Sequence, residues 1–102
     1  MVSKKLQAPR PFLPPLNGGW LDAELAEMGR LEGVFRPPLY AIERGMSEEG
    51  DPWFVVTETT SGRVVVHLCR IAAKYTVACP EEMLLKTTAD IKVAVELAMS
   101  AT

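Results

Sequence analysis

The sequence is poor in the residues that build common active sites. Its 102 residues include one histidine, His67, and two cysteines, Cys69 and Cys79. Structural zinc takes four ligands of this kind, so a site here would have to recruit carboxylates such as Glu58. The sequence has no Gly-rich phosphate loop, no GxSxG, no HExxH and no CxxC, which removes the best-marked nucleotide, serine-hydrolase, metalloprotease and thiol-redox signatures. The expectation is a chain that is not an enzyme, with no catalytic residue, no metal and no cofactor.

An excess of charge of one sign is missing too. Eleven Lys and Arg stand against thirteen Asp and Glu, a formal net charge of −2, so the global basic surplus used by phosphate-backbone binders is absent and nucleic acid is not an expected partner. No stretch approaches the roughly 18 to 20 unbroken apolar residues of a membrane-spanning helix. Lys4 and Lys5 run into prolines rather than into an apolar signal core. A cytoplasmic chain without membrane contact is expected, and its two thiols should stay reduced.

Charge and proline are unevenly placed. Residues 1–19 carry Lys4, Lys5 and Arg10 and no acid, with Pro9, Pro11, Pro14 and Pro15 close together. Proline removes backbone donors and fixes φ, so this head is expected to be a flexible, extended segment outside a single small domain over 20–102. Pro11 and Pro14 have PxxP spacing beside Arg10, the pattern read by aromatic grooves. The alternatives are an extension without a dedicated reader, or a segment folded back on its own sheet with Phe12 and Leu13 as anchors.

From Trp20 the pattern becomes helical. Leu21, Leu25, Met28 and Leu31 recur at helical spacing, with acids in the first turn and Gly33 as a stop, which predicts a helix over 21–32. Pro37 and Pro38 forbid its continuation. A short strand or turn around Leu39 to Glu43 is only weakly signalled. The three acids Glu48, Glu49 and Asp51 read as a solvated turn rather than a cation loop, because the alternating oxygen ligands of an EF-hand are missing.

WFVVTET, RVVVHLCRI and KYTVAC are rich in β-branched and aromatic residues and predict a three-stranded antiparallel meander. With Glu58 opposite Arg63 beside the first turn, Val56 faces Val65 and Phe54 faces His67. With Ala72 and Ala73 as the second turn, Arg70 faces Tyr75, Leu68 faces Val77 and Val66 faces Cys79, although two alanines suit a primed turn poorly. Alternation then puts Val55, Val64, Val66, Leu68, Tyr75, Val77 and Cys79 on one face. Phe54, Val56, Val65, His67, Cys69 and Ala78 take the other, and Cys69 and Cys79 point opposite ways. Thr87 and Asp90 resemble a capping box opening a helix of about 88–100, whose stripe Ile91, Ala94, Val95, Ala98 and Met99 covers the first face. The expected fold is α+β: a three-stranded antiparallel meander with an N-terminal and a C-terminal amphipathic helix.

His67 and Cys69 lie two apart on one strand and so share a face, where an imidazole and a thiolate could hold a metal or form a nucleophile pair. The plainer reading is a half-buried strand histidine beside a small apolar cysteine. Trp53 after Pro52 could stack on a ligand, or simply anchor the first strand.

The block GDPWFVV, SGRVVVH and RI, over Glu49 to Cys79, resembles a unit of small uncharacterised proteobacterial proteins, in which a GDPWFVF-like strand leads to a VH(F/L)xRI strand. The resemblance covers roughly 30 residues and implies a recurrent β-unit without an assigned activity. The chain departs from it at Ala72 and Ala73, where the pattern has Asp-Gly.

The second sheet face is too apolar to be left wet, so either the first helix or another chain covers it. The functional expectation is a protein-interaction or regulatory module, with a protein partner or a second copy docking on that face or on an edge strand. Phe54, Val56, Val65, His67 and Cys69 are its candidate binding residues. The competing expectation is a small metal- or thiol-dependent catalyst centred on His67 and Cys69.

Overall fold

The computed structural model describes residues 19–101. The expectations for the proline-rich head therefore lie outside the described residues, apart from Gly19. The order is α1 (Asp22–Val34), β1 (Tyr40–Met46), β2 (Pro52–Glu58), β3 (Val64–Ile71), β4 (Lys74–Cys79), a 3-10 turn (Pro80–Glu82), β5 (Leu84–Thr88) and α2 (Ile91–Met99). All neighbouring strands are antiparallel in one five-stranded sheet, β1-β2-β3-β4-β5.

The expected three-stranded meander is thus corrected to five strands. Both added strands are edges, with β1 only weakly signalled around Leu39 to Glu43 and β5 not at all, and an edge buries less, so its sequence carries a weaker apolar signal. β1, YAIERGM, offers only Tyr40 and Ile42 as strong strand formers, and Lys86 and two threonines dilute β5, LLKTT.

The first hairpin carries the second correction. Glu58 does meet Arg63 beside the turn, through the Glu58 N–H to the Arg63 carbonyl at 2.8 Å and an ion pair at 3.1 Å. Register then slips, with Thr57 opposite Val64 but Val56 opposite Val66. Val65 is the extra residue of a β-bulge, which shifts every later pairing by one. Phe54 faces Leu68 rather than His67, and Val55 faces His67. Because side chains alternate, a slip of one sends Phe54 and Val56 to the opposite side from the one expected.

The second hairpin keeps the expected register, Arg70 opposite Tyr75 and Leu68 opposite Val77. Ala72 and Ala73 form its turn with φ of 53° and 64°, so two alanines occupy the left-handed pair that a primed turn requires.

One core joins the sheet to both helices. Phe54, Val56, Val66, Leu68, Val77 and Cys79 meet Met28 and Leu31 of α1 and Ala94, Val95 and Ala98 of α2. The bulge also lets consecutive Val65 and Val66 both turn inward. α1 runs past Gly33 to Val34, with Phe35 as its C-cap, and its inward stripe includes an acid, the buried Glu24, while Leu21 is exposed. α2 begins later than expected because Asp90 is itself the N-cap, accepting from the Lys92 N–H at 2.9 Å. Among the described residues, no helix is long and apolar enough to cross a membrane.

Candidate functional site

Both helices lie on one side of the sheet, so its other side is the place to look for a site. The structure divides the five expected binding residues between the two sides. Phe54 and Val56 have no exposure, and Val65 at the bulge is 8% exposed, so all three are core. His67 and Cys69 stand half-buried on the open face. There the register sets Trp53 against Cys69 and Val55 against His67, with Ala78 and Thr76 of β4 as their other neighbours. Val55 and Ile71 are the residues missed as candidates, while Trp53, weighed as a stacking residue or a strand anchor, joins them on the open face; the signal was strand alternation once the bulge is placed.

Trp53 does not stand up from the face. Its neighbour across β1 is Gly45, and a Cβ there would come within 2.3 Å of the indole ring. The ring therefore lies flat over the glycine, which floors β1 with aromatic carbon. This is the pairing in which a strand glycine is covered by a cross-strand aromatic.

At the end of the sheet where β1 turns into β2, the face deepens into a trough of about 210 Å3. Trp53, His67, Cys69 and Ile71 form its apolar floor, and Ser47, Glu49 and Asp51 its polar wall. That wall is built by a defined turn. The Ser47 N–H donates to the Asp51 carbonyl at 2.9 Å, the Gly50 N–H to the Ser47 carbonyl at 2.9 Å, and the Asp51 N–H to Ser47 Oγ at 3.1 Å. Gly50 sits at φ 90°, a conformation that glycine adopts without a Cβ penalty.

The electrostatics of the trough run against a thiolate. Burial pushes the Cys69 thiol above its ordinary pKa, the nearby Asp51 carboxylate adds to the rise, and a backbone hydrogen bond at Thr76 only partly offsets it. A raised pKa leaves less thiolate at neutral pH, opposite to the depressed value of an activated cysteine. Among the described residues, no group of three or more His, Cys, Asp and Glu side chains is placed to hold a metal ion. Cys79 is fully buried on the opposite side, and both cysteines are free thiols.

A second, larger concavity of about 590 Å3 lies between the end of α1 and the free edge of β1. Phe35, Pro37, Pro38, Tyr40 and Ile42 line it. Its two charges, Glu32 and Arg44, are engaged with each other at 3.3 Å, so it presents no uncommitted charge to a ligand.

No family model matches the chain, and no curated protein or solved structure is significantly similar to it. The geometry of the open face therefore carries the functional argument alone.

Proposed function

We propose that this chain is a non-enzymatic protein-interaction module whose docking surface is the open face of its sheet. One observation supports the reading above the others. Both helices cover the same side, leaving Trp53, Val55, His67, Cys69 and Ala78 half-buried on the other, beside Ile71 at 50% and Leu85 at 70% exposure, with no described element across them. A contiguous apolar patch with a polar margin is the usual mark of a protein contact. Glu49 and Asp51 in the wall favour a partner segment that pairs a basic residue with apolar neighbours. The reading also takes the chain to work in the reducing cytoplasm, where its thiols stay free.

The competing reading, a metal- or thiol-dependent catalyst at His67 and Cys69, has the raised thiol pKa against it.

The test is site-specific photocrosslinking in cells producing the full chain, with a photoreactive residue at position 71 and, as control, at the 93%-exposed Met83. Protein adducts should be concentrated at position 71 and lost when Leu85→Asp is added. Adducts equally abundant at 83, with a monomer in sedimentation at every concentration, would remove the interaction reading.

A further inference from the structure

The trough has a candidate occupant in the chain itself. The first described residue, Gly19, is fixed at the same end of the sheet as the trough. Arg70 Nη2 donates to its carbonyl at 2.9 Å, and a Cβ on Gly19 would lie 3.0 Å from Met46 Sδ and 3.4 Å from Pro52. The next residue, Trp20, is fully buried, and its indole N–H donates to the Trp53 carbonyl at 3.3 Å. The backbone of Trp53 is thus touched from the helix side by the root of the head, while its ring floors the trough on the other side. Everything upstream of Gly19 starts one sheet thickness from the trough.

The segment that starts there has complementary chemistry. Residues 1–18 hold Lys4, Lys5 and Arg10 and no acid, while the trough wall carries the acids Glu49 and Asp51. Arg10-Pro11-Phe12-Leu13 sets one cation beside two large apolar side chains, the combination that an acidic wall over an apolar floor accepts. Phe12 lies seven residues before Gly19, a span of at most about 25 Å when extended, which is ample to turn the end of the sheet. Prolines on both sides of Phe12 narrow the conformations of the free chain and so lower the entropy cost of ordering it. Tethering adds an effective concentration on the order of millimolar.

We propose that residues 10–13 of the head dock into this trough within the same molecule, with Phe12 and Leu13 on the floor of Trp53, His67, Cys69 and Ile71 and Arg10 against Glu49 and Asp51. The head is then a displaceable cover, and a partner with the same basic and apolar pairing gains the face by exchanging with it. The inference rests on the open face being the docking surface and adds its regulation.

The experiment uses the full chain with p-benzoylphenylalanine in place of Phe12, irradiated across a dilution series. The expected result is a crosslink within one chain to the peptides holding Trp53, His67 or Ile71, unchanged on dilution and reduced several-fold by Arg10→Glu or by high salt. Alkylation of Cys69, followed by mass spectrometry in the otherwise native chain, should rise several-fold in the Phe12→Asp, Leu13→Asp variant. Crosslinks falling in the cleft beside β1, crosslinked pairs of chains that vanish on dilution, or an unchanged Cys69 rate would each overturn the intrachain cover. The two readings fail separately. An uncovered face that still yields partner adducts at position 71 sinks only the cover, whereas a covered face that captures nothing after Phe12→Asp, Leu13→Asp sinks only the docking function.

Discussion

The Tyr75 hydroxyl donates to Glu24 Oε2 at 2.6 Å, joining β4 to the first turn of α1 through the one buried charged side chain among the described residues. The other oxygen of the same carboxylate accepts from the Leu21 N–H at 2.8 Å and closes the helix N-terminus. Arg70 Nε lies 2.9 Å from Oε2, but its N–H is poorly aimed, so that contact is an ion pair rather than a hydrogen bond. Its guanidinium also sits 5.9 Å from the centre of the Trp20 ring. One carboxylate thereby caps a helix, anchors a strand and steadies the root of the head. Glu24→Ala should cost about 2–4 kcal/mol by denaturant unfolding, because it leaves a helix end, a hydroxyl and a guanidinium without their shared acceptor. The quarter exposure of Arg70 keeps the figure below that of a fully buried pair.

The same contact predicts a pH dependence. Burial, and then the hydrogen bond to Glu24, push the Tyr75 pKa from 10.0 up to about 12. The folded state therefore holds that proton more tightly than the unfolded chain does. Its contribution is complete below pH 10 and is lost as pH climbs from 10 towards about 12. Tyr75→Phe should be less stable at neutral pH and show a shallower decline across that window. Parallel decline of the two proteins would show that Tyr75 does not titrate differently on folding.

Gly45→Ala should cost about 1–3 kcal/mol, because the new methyl would meet the Trp53 ring with β1 and β2 backbones fixed around it. Tryptophan fluorescence should shift as the indole is lifted towards water. An unchanged spectrum and stability would mean that the ring does not lie over the glycine.

Replacing Ala72 and Ala73 with Asn and Gly should stabilise the second hairpin by about 1 kcal/mol, since both positions are left-handed and alanine carries a Cβ penalty there. Gly in the unfolded chain returns part of the gain. A loss of stability in chemical denaturation would show that the turn is not of the primed type.

Cys69 should alkylate more slowly than free cysteine at pH 7.5, and Cys79 more slowly still, because burial raises both thiols and Cys79 has no exposed surface. A Cys69 rate above that of free cysteine would revive the thiol-catalyst reading.

Much of the fold could be read along the chain. WFVVTE, VVVHLCRI and KYTVAC became strands because β-branched and aromatic residues are dense enough there to mark burial, and both helices showed most of their inner stripes, with Leu21 exposed and Glu24 buried in the first. The Glu58–Arg63 pair beside the first turn was equally visible. The edges were faint in β1, where only a short strand or turn around Leu39 to Glu43 was signalled, and silent in β5, because Glu43, Arg44, Lys86 and Thr87 look the same in a loop as in a strand bonded on one side only. The candidate site was half legible. His67 and Cys69 share the open face, but the bulge at Val65 exchanged Phe54 and Val56 for Trp53 and Val55.

Local sequence alone determined the strands of the central ribbon, the second hairpin's register and the basic character of the head, since each depends on residue type over a few positions. Tertiary structure decided which side of the sheet faces water. Three consecutive valines at Val64–Val66 suit either pleat, and only the packing of Phe54, Val56, Val66 and Leu68 against two helices on one side makes the extra residue worth accommodating. That choice buried Phe54, Val56 and Val65 and left Trp53 beside His67 and Cys69 on the open face.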